Sequence, residues 1–344
     1  TAAGAGTGVL ADLTKKNYIH RNYVNATAWI FDADFARTNG ATESSGDWRT
    51  VLIGGLGKGG RGYFAIDVTD PSAFDTESGV AGKILWEFRD STMGYSYGAP
   101  QVVKTKKWGW VALLTSGYNN IASHGSNGGG QGWLYIVDVK TGALLQKVST
   151  GAGSDESPSG LAQVTAYTPD SADGTITEVY GGDLNGNIWR FDFTSPSANV
   201  PAPELFAKLP ADQSVTSGPV VRVAPITRNR YVFVGTGRLL GQDDIYTTHQ
   251  QSFYAFRDGT RLARWESGEG DAPSFPLSRS VMVANTDLLN PITPDPDKPA
   301  GWYHDLLTSG ERVVIDPQDT DLGKISWLGT IPQTTQLCNE GGSS

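Results

Sequence analysis

The chain has 344 residues, a formal net charge of −9, and 43 glycines against two methionines and one cysteine. So acidic a chain lacks the basic surface that neutralises phosphates, which argues against nucleic acid as a partner. No run of 18 apolar residues occurs, which argues against a membrane span. Ten tryptophans and 13 tyrosines among the glycines are typical of strands joined by turns.

The length allows either two average domains or one large all-β domain. No linker-like segment divides residues 1–344, so we predict a single domain. The chain's start has no charged segment followed by an apolar core and is therefore not a signal peptide. We expect an exported protein whose leader has been removed, or a fragment of a longer protein. The single Cys338 has no partner for a disulfide within the chain.

The stretch from Val51 to Pro71 predicts a strand, a glycine loop, a second strand and a turn. Its glycines at 55, 57 and 60 fit the spacing of a dinucleotide-binding loop. That loop requires a helix after its last glycine, whereas here an extended run follows. The stretch is therefore interpreted as a β-hairpin with a glycine-rich connection.

A short phrase recurs along the chain: a small or polar residue, then aromatic and aliphatic residues, then an aspartate at a turn. Irregular spacing of one repeated strand predicts a β-propeller with long inserted loops. The copies lie at residues 62–69, 132–142 and 186–194, with looser ones at 251–259 and 27–32.

Other segments complete the predicted sheets. A β-rich segment follows each of the first three copies, at residues 83–88, 143–148 and 204–209, and is predicted to be the outermost strand. Segments 110–118, 178–183 and 231–237 each contain glycine at or near their end and are predicted to be inner strands, where glycine allows close backbone approach.

The sequence argues against a nucleophile elbow and against a zinc site. Gly94-Tyr95-Ser96-Tyr97-Gly98 matches a nucleophile elbow, but an elbow needs a following helix and Ala99-Pro100 begins an extended run. The four histidines lie far apart in sequence and from the cysteine, which argues against a zinc site.

The best candidate for chemistry is the loop at residues 168–183. Asp170, Asp173 and Glu178 surround Gly174, and oxygen side chains around a glycine turn can wrap a calcium ion. The alternative is an ordinary Asp-Gly hairpin turn. We name Asp170 and Asp173 as the candidate metal ligands.

Six phrases in order resemble the C-terminal domain of PilY/PilC-type proteins, the type IV pilus tip-associated biogenesis factors and adhesins. The resemblance extends from about residue 22 to the end of the chain. The phrases are VLIGGLGKGGRGYFAIDVTDP, LWEFRDSTMGYSYGAP, TSGYNN, EVYGGDLNGNIWRFDF, VGTGRLLG and GWYHDLLTSGERVV.

The resemblance implies a modified seven-bladed propeller, similar to quinoprotein dehydrogenases but not known as an enzyme. It implies export to the pilus tip, cell surface or outer membrane, where such proteins act with minor pilins, bind host-cell or abiotic surfaces, and control pilus extension against retraction. It also implies a calcium loop of the form D-x-N-x-D-G-x-x-D. Asp173 matches its third acidic position, whereas Pro169, Ser171 and Thr177 replace the others and Asp170 lies one place out of register.

Three functions are therefore weighed. The first is a non-enzymatic module for pilus biogenesis and tip adhesion. The second is a quinoprotein-type dehydrogenase, against which the lone cysteine argues. The third is a lectin-like propeller that stacks sugars on exposed aromatic rings. Loops on a rigid scaffold carry recognition, so the adhesive surface is expected in residues 33–47, 121–131 or 258–299.

Overall fold

The computed structural model describes residue 13 and residues 16–38, 45–290, 292, 295–320, 324–332 and 342–343. The chain forms two compact units, Thr1–Ala162 with Ser195–Asn199 and Gln163–Thr194 with Val200–Ser344. Cys338, and parts of the loops predicted to carry the adhesive surface, lie outside the described residues. The prediction of one domain over residues 1–344 stays a prediction.

The first unit contains two four-stranded antiparallel sheets in which each strand pairs with the next along the chain. One short helix, α1 (Glu77–Ala81), lies between the third and fourth strands of the first sheet. The first sheet comprises β1 (Ala28–Asp34), β2 (Trp48–Gly55), β3 (Tyr63–Asp67) and β4 (Ile84–Phe88). The second comprises β5 (Gln101–Thr105), β6 (Gly109–Thr115), β7 (Trp133–Asp138) and β8 (Leu144–Ser149).

The core of the first unit lies where these sheets share apolar side chains. Alternation along β2 and β3 buries one side of each strand, as Val51, Ile53 and Ala65 show with no exposed surface. These side chains belong to one cluster with Tyr135 and Val137 of β7. The period-2 pattern of the sequence thus decides which side of the sheet is buried.

The second unit contains a four-stranded sheet, a five-stranded sheet and two short ladders. The four-stranded sheet comprises β9 (Val164–Tyr167), β10 (Glu178–Gly182), β11 (Asn187–Asp192) and β12 (Glu204–Lys208). The five-stranded sheet comprises β13 (Val220–Val223), β14 (Asn229–Gly235), β15 (Ser252–Thr260), β16 (Val283–Ala284) and β17 (Gly301–Asp305), in the order β13-β14-β15-β17-β16. The ladders pair β18 (Gln318–Asp319) with β19 (Ile325–Ser326), and β20 (Thr330–Ile331) with β21 (Gly342–Ser343).

The repeated phrase occupies one position in all four larger sheets. Its copies form β3, β7, β11 and β15, the third strand in chain order of each sheet. The segments that follow the first three copies form β4, β8 and β12, each at a sheet edge as predicted. The segment at residues 27–32, predicted to be a further copy, instead forms β1, because its strand pairs only with β2. The prediction was wrong because this segment shares the aromatic residues and the closing aspartate of the repeated phrase.

The aspartate that ends each of the first three copies satisfies the turn that follows it. The carboxylates of Asp67 and Asp192 accept backbone N–H bonds from the second residue after each of them, at 3.0 and 2.8 Å. Asp138 accepts from the backbone N of Lys140 and Thr141. A side chain that satisfies the turn in this way ends the strand and directs the chain onward.

Glycines at the strand ends fill places where a side chain would collide. A Cβ on Gly117 would lie 1.8 Å from the carbonyl oxygen of Tyr95, and Gly117 has a φ of +63°. A Cβ on Gly182 would lie 2.3 Å from Val215. The predicted close approach is therefore made by the backbone of Tyr95 at Gly117 and by the side chain of Val215 at Gly182.

Candidate functional site

Ser96 of the elbow-like pattern is a buried structural residue. Its Oγ donates to the carbonyl oxygen of Gly62 at 2.8 Å and accepts from the backbone N of Leu56 at 2.9 Å. The side chain is fully buried, and it ties its segment to the glycine loop of the β2–β3 hairpin. This position agrees with the prediction that Ser96 is not a nucleophile.

The candidate calcium loop is an exposed turn before β10. The Asp170 carboxylate accepts a hydrogen bond from the backbone N of Ala172 at 3.0 Å. The backbone carbonyl oxygen of Asp170 accepts one from the backbone N of Gly174 at 2.9 Å. Asp173 is also exposed. Glu178 points elsewhere and pairs with Arg230 at 2.9 Å. The loop thus offers two carboxylates, fewer than calcium loops usually provide, and calcium binding at Asp170 and Asp173 stays a prediction.

Within the described ranges, no three His, Cys, Asp or Glu side chains come together in a way that could hold a metal ion. None of the described helices has the length and apolar character needed to span a bilayer.

The second unit contains a buried ionic network that sequence reasoning missed. The guanidinium of Arg190 lies 2.5 Å from the Asp258 carboxylate, and that of Arg230 lies 3.4 Å from the same group. Tyr180 donates its hydroxyl to Asp258. Glu178, Arg190, Arg230 and Asp258 each have less than 5% of the side chain exposed.

The network is arranged to satisfy its own charges. Burial, and then the Asp258 carboxylate, raise the pKa of Tyr180 well above its usual value, so the phenol stays a hydrogen-bond donor. Arg230 also donates from Nε to the carbonyl oxygen of Asp258 at 3.1 Å. Charges that are paired and hydrogen-bonded in this way hold strands in one arrangement, so we assign the network a structural role. The only signal in the sequence was charge, at Glu178 and Arg190, within strands that are otherwise mostly apolar and are buried almost throughout.

A cavity of about 490 Å³ lies beside the five-stranded sheet of the second unit. Aromatic rings from β14 and β17 line it, together with residues of β13 and of the β18–β19 ladder. Its lining residues are Arg222, Val223, Ala224, Pro225, Tyr231, Phe233, Trp302, Asp319, Thr320 and Ile325. Sequence reasoning did not find this site, because its walls come from segments that lie far apart in the chain.

A second, smaller cavity of about 220 Å³ in the same unit is mainly polar. Its arginine and aspartate side chains already bond to protein groups. Arg312 donates to the carbonyl oxygens of Arg238, Gly310 and Thr247, and Asp244 accepts from Arg238. The polar groups of this cavity are therefore largely used in holding its own loops.

Comparisons with known proteins agree with this architecture. Residues 4–208 match the family model described as the PilY1 beta-propeller domain. A type IV pilus biogenesis factor PilY1 homolog from Xylella fastidiosa is 29% identical over 97% of this chain and 23% of its own length. Type IV pilus biogenesis factor PilY1 from Pseudomonas aeruginosa is 26% identical over 97% of this chain and 31% of its own length. The chain thus spans between about a quarter and a third of the length of these curated relatives.

A solved structure has the same fold. The crystal structure of the Pseudomonas aeruginosa PilY1 C-terminal domain superposes with a TM-score of 0.69 and 25% identity, covering 90% of this chain and 68% of that one. The prediction of an all-β propeller fold is confirmed, whereas the count of seven blades and the likeness to quinoprotein dehydrogenases stay predictions. The chain belongs to the family described as the PilY1 beta-propeller domain.

Proposed function

We propose that the chain is a non-enzymatic module of type IV pilus biogenesis and tip adhesion. In this proposal the parent protein is exported, acts at the pilus tip, cell surface or outer membrane, and binds minor pilins. It regulates pilus extension against retraction and attaches the pilus to host-cell or abiotic surfaces. The observation that carries the proposal is the family match over residues 4–208, since the curated relatives are named type IV pilus biogenesis factors.

The architecture supports a binding role on physical grounds. Strongly paired sheets provide a rigid frame, and the long connections between strands are free to vary. The connection at residues 121–131 is itself ordered, because Asn120 donates to the carbonyl oxygen of Gln131 at 2.6 Å and Ser126 donates to that of Ser91 at 3.2 Å. Such a preorganised loop loses little conformational entropy on binding a macromolecule.

The proposal is tested by binding to purified minor pilins. We expect the chain immobilised on a sensor to bind at least one minor pilin with a dissociation constant of about 10 μM or tighter, as for a transient interface of standard size. The soluble domain of the major pilin is the control and should not bind. In cells, deletion of the parent gene should reduce surface pili, and the full-length gene should restore them. Normal piliation after deletion would contradict the proposal.

Calcium enters the proposal as a weak ligand of the loop at Asp170 and Asp173. Two carboxylates and backbone carbonyl oxygens make a low-charge donor set, which in extracellular modules corresponds to dissociation constants of roughly 10⁻⁴ to 10⁻³ M. A calcium ion held by these two side chains would lie at the turn that precedes β10. Its effect on pilus function would act through the segment before β10.

A further inference from the structure

We infer that the cavity between the five-stranded sheet and the β18–β19 ladder is a binding site for a neutral sugar ring. The inference rests on the chemistry of the cavity and goes beyond pilus assembly, although a sugar receptor would suit an adhesin. Its volume of about 490 Å³ lies within the range of roughly 300–1,000 Å³ in which proteins bind small molecules.

The aromatic wall is built by strand register. Phe233 of β14 and Trp302 of β17 both lie directly opposite Ala255 of β15, so all three side chains project from the same face of the sheet. Because Ala255 carries only a methyl group, no large side chain separates the two rings, whose centroids are 6.5 Å apart. Tyr231 extends the wall, with its ring centroid 6.2 Å from that of Phe233.

These rings are only partly buried. Tyr231, Phe233 and Trp302 each keep an intermediate exposure, although the neighbouring Val232, Val234 and Ala255 are fully buried. Partly exposed aromatic rings that line a cavity offer an apolar surface with little rotamer entropy to lose. The C–H face of a pyranose ring is a flat apolar surface of the same kind, so it can stack on this wall.

The same lining also contains polar groups. Arg222 of β13 pairs with Asp319 of β18, and Thr320 follows it in the lining. The Arg222 side chain is 56% exposed, so its remaining N–H groups face solvent at the rim. A guanidinium donates and a carboxylate accepts, while each sugar hydroxyl does both. Adjacent hydroxyls of one ring can therefore bond to both partners of the pair.

Charge favours a neutral ligand over an ionic one. The lining contains one arginine and one aspartate, which already neutralise each other. An anionic or cationic ligand would have to break this pair without gaining a second counter-charge from the lining. A neutral ring with several hydroxyls keeps the pair intact and adds hydrogen bonds to it.

The experiment is calorimetric titration of the folded chain with four neutral oligosaccharides: lactose, maltotriose, mannobiose and chitobiose. We expect at least one to bind with a dissociation constant of about 1 mM or tighter, the usual range for a shallow small-ligand site. Trp302→Ala and Arg222→Ala should each weaken that binding by about tenfold or more, while Tyr231→Phe, which keeps the ring, should change it by less than about threefold.

The matched control is Trp48→Ala, because Trp48 of the first unit is 59% exposed and lies outside the cavity lining. It should leave sugar affinity unchanged. Thermal melts check folding, and Arg222→Ala serves as the main variant if Trp302→Ala lowers stability.

Absence of binding by all four sugars overturns the inference, as does binding that survives both substitutions. Binding of a proline-rich peptide instead of sugar, lost in Trp302→Ala, would also overturn it. None of these outcomes bears on minor-pilin binding, which is measured separately.

Discussion

Arg230 is the largest fully buried side chain among the described residues. Because it is charged, its burial requires partners of opposite charge and acceptors for its N–H groups. Its guanidinium pairs with Glu178 and Asp258, and it lies 4.5 Å from the centroid of the Tyr167 ring. Such a group stabilises the fold only while every partner is present, because a lone buried charge has no water to solvate it.

We expect Arg230→Met to destabilise the second unit by about 3–5 kcal/mol, since it leaves the Glu178 carboxylate buried without its cation. Urea unfolding followed by tryptophan fluorescence measures this loss. The double variant Arg230→Met with Glu178→Gln should recover part of it, because the uncompensated charge is removed. As a control, Arg222→Met, at a side chain 56% exposed, should cost less than about 1 kcal/mol. Equal losses at the two arginines would contradict the assigned role of burial.

Asp192 at the end of β11 predicts an acid-sensitive contribution to stability. Burial raises the pKa of this carboxyl, but hydrogen bonds from Arg264 and Thr194 lower it more, to about 2. A lowered folded-state pKa means that the stabilisation is present above the unfolded-state pKa of about 4, and is lost as pH falls towards 2. Its size is at most about 2.5 kcal/mol.

Melting temperatures of the native chain and of Asp192→Asn, measured from pH 7 to pH 2, test this contribution. The variant should be less stable at pH 7, and the two curves should converge as the pH approaches 2. Asp212→Asn, at a side chain 68% exposed, is the control and should follow the native curve. Parallel curves for the native chain and Asp192→Asn at all pH values would show that the carboxylate charge contributes nothing.

At the scale of elements, the sequence of the repeated third strand can be explained by its burial and by the turn that ends it. Its aromatic and aliphatic residues are almost all buried in β7, β11 and β15, and the closing aspartate of the first three copies satisfies the turn. The second strand of each sheet follows a different rule, because glycine at its end makes room for another segment. In β10 this place is Gly182, where a Cβ would lie 2.3 Å from Val215.

Gly182→Ala is therefore expected to destabilise the second unit by about 1–3 kcal/mol, the usual cost of forcing an extra methyl group into a packed site. The matched control is Gly241→Ala, because a Cβ at Gly241 would meet no atom within 4 Å. Chemical denaturation of both variants gives the comparison. A loss of the same size in both would mean that backbone freedom, not packing, explains the glycine.

The loop before β10 gives the second prediction at this scale. Isothermal titration should show calcium binding no tighter than about 10⁻⁴ M, because the loop provides only the carboxylates of Asp170 and Asp173. Asp173→Ala should weaken this binding further, whereas Asp297→Ala, at another exposed aspartate, should not. Micromolar affinity, or no heat at millimolar calcium, would each disprove the proposed weak site.

At the scale of the whole molecule, local patterns predicted elements well and long-range sites poorly. The phrase ending at Asp67, Asp138, Asp192 and Asp258 located the third strand of every larger sheet, because each copy contains its own turn signal. The partners in the Arg230 network come from different strands, and the aromatic cavity combines β13, β14 and β17 with the β18–β19 ladder. Such sites depend on strand order and register, which no local pattern states.

The pairing of buried carboxylates bears on the choice between a binding module and a dehydrogenase. A catalytic base must be within reach of a substrate and free to accept its proton. The carboxylates of the second unit's sheets are instead committed to cations, as Asp258 and Glu178 are to arginines and Asp192 is to Arg264 at 2.9 Å. We therefore expect no reduction of an electron-accepting dye above buffer when the chain is mixed with a quinone cofactor, calcium and primary alcohols. A known quinoprotein dehydrogenase in the same assay confirms that the dye responds. Turnover that depends on the added cofactor would refute the non-enzymatic part of the proposal and leave family membership untouched.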